Sequence, residues 1–324
     1  MNNKIPYRRV LLFLAVLFAL LALLSGLSFL MTHGPKPILN HSTNSIYDEP
    51  DGSIDVISIG DSNVYSSISP LQMWEDCGIS SYSCGEPAER ISHTFEHLKN
   101  IYRHQTPKVV FIEGNCLFRD KSNGEVLESI TKAKLGKIFP IVTYHSELQP
   151  DNLPALFRDG HSITRGYYMR AEVIGADPAE LDKNRNETEK RQPVHPLNSW
   201  ILSRCIRCCR DHGSQVVLLS VPSANNWNYK KHNKLMDLAK ENKVPFLDMN
   251  LQEGCRIDWT RDSCDGGDHL NIYGAQKATS CFEDYLLHHY QLPDHRKDKS
   301  YAQWNKDLAI YHEALSQPQK LIIK

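Results

Sequence analysis

The sequence predicts an α/β protein in which helices cover both faces of a parallel sheet, preceded by one transmembrane helix. Runs rich in β-branched residues are typical of buried parallel strands; they occur at 54–60, 108–114 and 215–221, with a shorter one at 244–248. Helical stretches lie between and after these runs, at roughly 87–104, 196–212, 228–243 and 272–290. Alternating strands and helices imply right-handed crossovers into one parallel sheet. An uncharged apolar segment near the N-terminus adds the membrane helix.

The composition is that of an ordinary globular protein. The chain has 324 residues, of which 41% are hydrophobic and 23% charged, with a formal net charge of -1. This length is compatible with two domains or with one large α/β domain. Disorder, collagen and coiled coil are excluded as the main architecture. The balance of 37 basic against 38 acidic residues argues against a nucleic-acid partner, which needs a basic face.

The apolar segment at 10–31 predicts an uncleaved membrane anchor. It is uncharged, its polar members being Ser25 and Ser28, and about 20 apolar residues are enough to cross a bilayer as a helix. Basic residues precede it and no acidic residue does, so the positive-inside rule predicts a cytoplasmic N-terminus and an extracytoplasmic remainder. A cleaved signal peptide is the alternative, but its apolar core is shorter and ends in small residues.

The chain divides into an anchor, a linker, a main domain and a C-terminal extension. Residues 1–31 are the cytoplasmic tip and anchor, and the polar, turn-rich residues 32–53 predict a linker. The main domain covers 54–290, with an insertion at about 120–195 that does not follow the strand–helix rhythm. We expect the extension, 291–324, to pack back on the domain.

Nine cysteines are present, and an extracytoplasmic location permits disulfides. The pairs Cys77/Cys84 and Cys255/Cys264 are candidates because each closes a short loop. A further trio, at 205, 208 and 209, lies on one predicted helix. No matching pair of zinc ligands accompanies the trio, so we interpret it as buried apolar side chains.

Three polar or glycine positions follow predicted strands or precede predicted helices, where ligands bind in open α/β sheets. Ser62 follows the first strand, where a nucleophile can be exposed and its anionic product met by backbone N–H groups; a plain helix cap is the alternative. Asn115 follows the strand at 108–114 and can direct an amide at an oxyanion or serve as a turn residue. Gly85 precedes a predicted helix and offers an unobstructed backbone N–H.

The strongest local signal is the glycine-rich turn that contains His269. A histidine base needs one ring nitrogen facing the nucleophile and the other held by a carboxylate. Asp265 and Asp268 are the candidates; Asp265 is favoured because a turn returns a residue four positions upstream to the ring, whereas adjacent side chains diverge. A metal site is the alternative, but further carboxylates at suitable spacing are lacking.

In this order, Gly60-Asp61-Ser62, Gly85, Asn115 and the Asp/His pair resemble the SGNH (GDSL-like) hydrolase superfamily. The segment DGGDHLNIYGA, the N-terminal anchor and the tail with Trp304 resemble its membrane-anchored bacterial branch, related to DltD-type proteins of teichoic-acid D-alanylation. The resemblance covers 54–290 without the insertion. It implies a flavodoxin-like three-layer sandwich that needs neither metal nor cofactor.

The resemblance also implies roles for individual residues. Ser62 corresponds to the nucleophile and His269 to the general base, while the oxyanion hole corresponds to the Ser62 N–H, the Gly85 N–H and the Asn115 amide. Two motifs depart from the family pattern. The block G-x-N-D reads Glu-Gly-Asn-Cys at 113–116, and in D-x-x-H a glycine, Gly266, stands where the acid is expected.

Together these observations predict an extracytoplasmic, membrane-tethered serine esterase or acyltransferase. We expect it to act on acetyl or D-alanyl esters of cell-envelope glycans or teichoic acids, with a membrane acyltransferase as a further partner. The altered D-x-x-H block keeps a second hypothesis open, a non-catalytic scaffold that binds envelope polymers or organises a transfer complex. A metal-dependent envelope enzyme is the third.

Overall fold

The computed structural model describes residues 7–32, 44–145, 148 and 162–322. Its centre is a five-stranded sheet in the order β2-β1-β3-β4-β5, and every pairing is parallel. This architecture confirms the predicted α/β class, and the strand order is that of flavodoxin-like folds. The strands are β1 (Val56–Gly60), β2 (Ser81–Gly85), β3 (Val109–Glu113), β4 (Gln215–Ser220) and β5 (Phe246–Asp248).

The helices follow the strands along the chain, apart from the N-terminal one. They are α1 (Tyr7–Thr32), α2 (Ser62–Ser67), α3 (Pro70–Cys77), α4 (Ile91–Ile101), α5 (Asn123–Ile138), α6 (Ile141–Tyr144), α7 (Pro178–Arg185), α8 (Pro196–Asp211), α9 (Tyr229–Asn242), α10 (Ile272–His289) and α11 (Ala302–Ser316).

Both faces of the sheet are covered, because alternate residues of each strand point to opposite sides. On one face, Ile57, Val110 and Leu218 belong to a buried cluster with side chains of α4, α8 and α9. On the other, Phe111 and Leu219 belong to a second cluster with side chains of α3 and α10. The strands therefore carry continuous apolar sequences rather than alternating ones.

Strand β2 was not predicted from the sequence. It reads SYSCG and lacks the β-branched run of the other strands. Its serines are buried nevertheless, because each hydroxyl finds a local acceptor: Ser83 Oγ donates to the Ile68 carbonyl at 2.9 Å and Ser81 Oγ to the Met73 sulfur at 3.3 Å. Burial of small, hydrogen-bonded polar groups leaves no apolar pattern in the sequence.

Arg165 joins three distant parts of the chain. Its side chain is fully buried; Nη1 lies 2.7 Å from Asp307 Oδ2, and Nε lies 3.5 Å from Glu49 Oε1. The guanidinium also lies 3.9 Å from the ring centroid of Trp304 on α11. Arg165 belongs to the predicted insertion, of which residues 146–147 and 149–161 lie outside the described part of the chain.

The disulfide differs from the expected pairs. Cys255 is bonded to Cys281 on α10, while Cys264, Cys77 and Cys84 are free thiols. Both expected pairings, Cys77–Cys84 and Cys255–Cys264, were therefore wrong. The chain after β5 returns to α10 and brings the Cα atoms of residues 255 and 281 to within 5.3 Å of each other. Spacing in the sequence does not reveal this proximity.

Helix α1 is long and apolar enough to cross a membrane. Its segment Tyr7–Ser28 has a mean hydropathy of 2.9, and only 6% of its most apolar stretch is buried. Length and composition of this kind fit a membrane anchor and a signal sequence alike.

Candidate active site

Ser62 stands at the first position of α2, immediately after β1. The preceding residue, Asp61, caps the helix: its side chain accepts a hydrogen bond from the Asn63 N–H at 3.1 Å. Asp61 is fully buried, whereas Ser62 is partly exposed. The strand end and the capped turn thus fix the partly exposed serine at the carboxyl edge of the sheet.

The loop before α10 brings His269 against this serine. His269 Nε2 lies 2.8 Å from Ser62 Oγ, across 207 positions of sequence. The other ring nitrogen, Nδ1, lies 2.5 Å from Asp265 Oδ2. The His269 backbone N–H also donates to Asp265 Oδ1 at 2.8 Å, so one carboxylate holds both the ring and the backbone of the histidine.

Asp268 occupies a different position. Its Oδ2 lies 3.8 Å from His269 Nδ1, beyond hydrogen-bond distance, and its Oδ1 accepts a hydrogen bond from Asn226. The four-residue return of the turn therefore places Asp265, and not the adjacent Asp268, on the imidazole.

The environment of the histidine favours its protonated form. Burial lowers the pKa of His269, but the hydrogen bond to Asp265 and the charges of Asp268 and Asp265 outweigh it, so the net pKa is raised. Burial raises the pKa of Asp265, but hydrogen bonds from His269 outweigh burial and leave that pKa below its usual value. Asp265 is therefore an ionised carboxylate that stabilises an imidazolium.

Two glycines shape the turn that carries the histidine. Gly266 and Gly267 have φ of 84° and 100°, in the left-handed region that disfavours other residues. A Cβ on Gly267 would lie 2.7 Å from the Cβ of Ala176 and 2.8 Å from that of Ala224. The Gly267 N–H donates to Ser263 Oγ at 2.6 Å, which closes the turn.

Asn115 lies at the end of β3 and is held from three sides. Its backbone N–H donates to Glu113 Oε2 at 2.8 Å, and its side-chain Nδ2 donates to Asp61 Oδ2 at 2.7 Å. Lys231 Nζ donates to its Oδ1 at 2.7 Å. The two bonds to the amide leave one Nδ2 hydrogen without a partner among the described residues, in a fixed orientation.

Gly85 ends β2 and is paired with Gly60 in the sheet register. A Cβ on Gly85 would lie 2.7 Å from the Asp61 carbonyl oxygen and 2.9 Å from the ring of Tyr65. Only a glycine therefore allows β2 to pass this close to the turn that carries Ser62.

Four residues of the site were not identified from the sequence. Asp61 binds Arg119 as well as Asn115, and Lys231 reaches Asn115 from α9. The ring of Tyr65 lies parallel to that of His269, with centroids 6.4 Å apart. Asp61 could have been noticed from its place in Gly-Asp-Ser, but Lys231 lies in an ordinary basic helix that carries no motif.

One group of described residues has metal-ligand spacing, formed by Asp265, Asp268 and His269, whose ligand atoms lie within 4.8 Å of one another. Both nitrogens of His269 already lie within hydrogen-bond distance of protein groups, Ser62 Oγ and Asp265 Oδ2. A metal on this histidine would displace one of those bonds, so the geometry suits proton transfer better than metal binding.

The chain matches no protein-family model and no curated protein. Solved structures to which it is similar include a GDSL-like lipase from Bacteroides thetaiotaomicron, 9% identical with a TM-score of 0.36 over 74% of this chain and 90% of that one. An acetylxylan esterase from Geobacillus stearothermophilus, crystallised as a catalytic mutant, is 9% identical with a TM-score of 0.36, and the match covers 75% of this chain and 97% of the esterase. A lipase/acylhydrolase from Enterococcus faecalis is 10% identical with a TM-score of 0.37, and the match covers 74% of this chain and 99% of that protein. Similarities at this level carry no argument about the reaction, which depends on the site.

Proposed function

We propose that the protein is a serine esterase or acyltransferase that acts through Ser62. The observation that carries this proposal is the continuous chain of hydrogen-bond distances from Ser62 Oγ through His269 to Asp265, 2.8 Å and 2.5 Å long. A hydroxyl, an imidazole and an ionised carboxylate in this sequence of contacts are the elements of nucleophilic acyl transfer.

In the proposed reaction, His269 Nε2 removes the proton of Ser62 as Oγ attacks the ester carbonyl. Asp265 stabilises the imidazolium that forms. The negative charge on the carbonyl oxygen is met by the N–H groups of Ser62 and Gly85 and by the second Nδ2 hydrogen of Asn115. His269 then returns the proton to the departing alcohol, leaving the acyl group on Ser62.

The second half of the reaction decides between hydrolysis and transfer. His269 deprotonates either water or an incoming hydroxyl as it attacks the acyl-serine. The bond between the acyl carbon and Ser62 Oγ then breaks, and His269 returns the proton to Oγ. The raised pKa of His269 means that its surroundings stabilise the imidazolium, the form that donates a proton in each half-reaction.

For the substrate, we propose acetyl or D-alanyl esters of cell-envelope glycans or teichoic acids, the class expected of a DltD-type branch. The long apolar helix α1 supports this proposal. An uncleaved anchor with a cytoplasmic N-terminus confines the domain to the extracytoplasmic face of the membrane, beside envelope polymers and any membrane acyltransferase partner. Protease digestion of intact cells should degrade the domain if this orientation is right, and should spare it if the domain is cytoplasmic.

The scaffold hypothesis expects no carboxylate on His269, whereas Asp265 lies 2.5 Å from Nδ1. Hydrolysis of 4-nitrophenyl acetate by the full-length protein in detergent tests the enzyme proposal. We expect Ser62→Ala to abolish turnover, and Ser203→Ala, an exposed serine on α8, to retain it. Equal turnover by the Ser62→Ala and unaltered proteins would contradict the proposal.

A further inference from the structure

A cavity of about 350 Å³ opens beside the candidate active site. Its lining includes Asn115, which belongs to the proposed oxyanion hole. It also includes Asn226, which donates a hydrogen bond to Asp268. A molecule in this cavity therefore lies next to the groups that surround Ser62. The mechanism described above makes no use of the space.

The lining is strongly cationic. It contains four basic side chains and, among the described residues, no carboxylate: Arg90, Arg119, Lys121 and Lys231, with the amides of Asn115, Gln192 and Asn226 completing the polar surface. Four positive groups on the wall of one small cavity create a potential that attracts anions, and protein walls of low dielectric strengthen it.

The acids that pair with the two arginines lie behind the cavity wall. Arg90 Nε is 3.2 Å from Asp120, and Arg119 binds Asp61, but the side chains of these acids are only 2% and 0% exposed. Each guanidinium therefore keeps other N–H donors for a ligand, since it has five and uses few on its carboxylate.

The two lysines are not neutralised by ion pairs. Lys231 Nζ donates to neutral oxygens, Asn115 Oδ1 at 2.7 Å and the Asn226 carbonyl. Lys121 is exposed and its ammonium forms no ion pair with any residue in the described part of the chain. The charges of Glu113, Asp61 and Asp268 act on Lys231 without forming an ion pair with it among the described residues. Burial, followed by the charge of Asp61, raises the pKa of Glu113, which favours its neutral form.

We propose that this cavity binds an anionic group, a phosphate or a carboxylate, that is carried by the ester substrate. The proposal rests on the proposed function, because the anion-binding cavity adjoins the site of acyl transfer. Arginine forks and lysine ammonium groups are the usual protein partners of both anions. The cavity thus selects esters of anionic alcohols or polymers over neutral ones.

The first test compares three acetate esters that differ in charge: 1-acetylglycerol, 1-acetylglycerol 3-phosphate and acetylated glycerate. We expect kcat/KM to be higher for one or both anionic esters than for the neutral one, and the better anion identifies the group. Arg90→Gln and Lys121→Gln should each lower the ratio of anionic to neutral kcat/KM about fivefold, the value of one partly exposed charge contact, mainly through KM.

The control is Lys306→Gln, an exposed lysine on α11 that makes the same change of charge away from the cavity. It should keep the ratio of the unaltered protein. No preference for either anionic ester, or a preference that both cavity variants retain in full, would overturn the proposal.

A binding measurement separates this proposal from the enzymatic one. Calorimetry with glycerol 3-phosphate and with glycerate uses the Ser62→Ala protein, which cannot form an acyl-enzyme. We expect at least one of them to bind, and the added Arg90→Gln/Lys121→Gln pair to abolish the binding. Binding without any ester turnover would reject the enzyme and keep the anion site, whereas turnover without binding of either anion would reject the site alone.

Discussion

His269 shows how one side chain can be positioned by a residue four places earlier. Asp265 binds both the ring Nδ1 and the backbone N–H, at 2.5 Å and 2.8 Å, so ring orientation and turn conformation depend on the same carboxylate. The D-x-x-H pattern that this segment resembles has its acid one position later, where this chain has Gly266. The turn compensates for the shift, because Gly266 and Gly267 adopt positive φ and bring Asp265 back to the ring.

Replacing the two acids should separate their roles. We expect Asp265→Ala to lower kcat about 10³-fold to 10⁴-fold, because the imidazole loses its orienting partner and its tautomer. Asp268→Ala should lower kcat less than about fivefold, since a partly exposed charge outside hydrogen-bond distance contributes little. Steady-state kinetics on 4-nitrophenyl acetate measure both, and the reverse ranking would identify Asp268 as the orienting acid.

The pH dependence of activity should reflect the raised pKa of His269. The base must be neutral, so kcat/KM rises with pH through that pKa, and the acid limb should lie above the ordinary histidine value of about 6.5. Asp265→Asn removes the hydrogen-bonded negative charge, which lowers the pKa of His269 and moves the acid limb of kcat/KM to lower pH.

A pH profile of the residual activity checks this shift. Asp268→Asn gives the matched comparison, for which we expect a smaller shift in the same direction. An acid limb that stays at the same pH in Asp265→Asn would contradict the assignment.

The strands and turns differ in how well the sequence predicts them. Strands β1, β3, β4 and β5 were predictable because buried parallel strands need continuous apolar side chains on both faces. Strand β2 was not, since its buried serines are satisfied by single local acceptors. Ser62 and His269 could be placed on the predicted sheet edge, but the contacts of Lys231 and Arg119 depend on how α9 and the turn after β3 pack, which no local pattern encodes.

The turn from Gly266 to His269 should tolerate no side chain at Gly267. Gly267→Ala combines a φ of 100° with a Cβ 2.7 Å from that of Ala176, so we expect a loss of about 1–3 kcal/mol in the free energy of unfolding. Activity should fall further than stability, because the displaced turn carries His269.

Gly254→Ala is the control for this turn, since a Cβ there meets no atom within 4 Å and its φ is not positive. Thermal unfolding and ester hydrolysis, measured together, check both variants. Equal effects of the two substitutions would show that the geometry of the 266–269 turn is not required.

The molecule as a whole is joined by buried contacts between segments far apart in sequence. Arg165 links Glu49, which precedes the sheet, to Asp307 on α11, and Trp304 of α11 packs on Trp74 of α3 with ring centroids 5.1 Å apart. The sequence does not reveal that a buried arginine contacts α11. A single arginine carries no periodicity, so its burial follows only from the assembled fold.

Removing this arginine should therefore destabilise the protein strongly. Arg165→Met leaves Asp307 and Glu49 buried without their cation, and we expect a loss of about 3–5 kcal/mol in the free energy of unfolding. Adding Asp307→Leu to Arg165→Met should recover part of the loss. Denaturant unfolding of the full chain in detergent measures the free energy of unfolding of both variants. If Arg165→Met lost no more than the removal of a surface ion pair costs, Arg165 would not hold these segments together.

Ser62 is the proposed nucleophile because His269 and Asp265 are placed to activate it. The most direct test is to react the protein with a fluorophosphonate and to locate the adduct by mass spectrometry of its peptides. We predict one adduct, on Ser62, that forms in the unaltered protein, slows strongly in His269→Ala and is absent in Ser62→Ala. An adduct on another serine, or labelling of Ser62 at the same rate without His269, would contradict the role of Ser62 as the activated nucleophile.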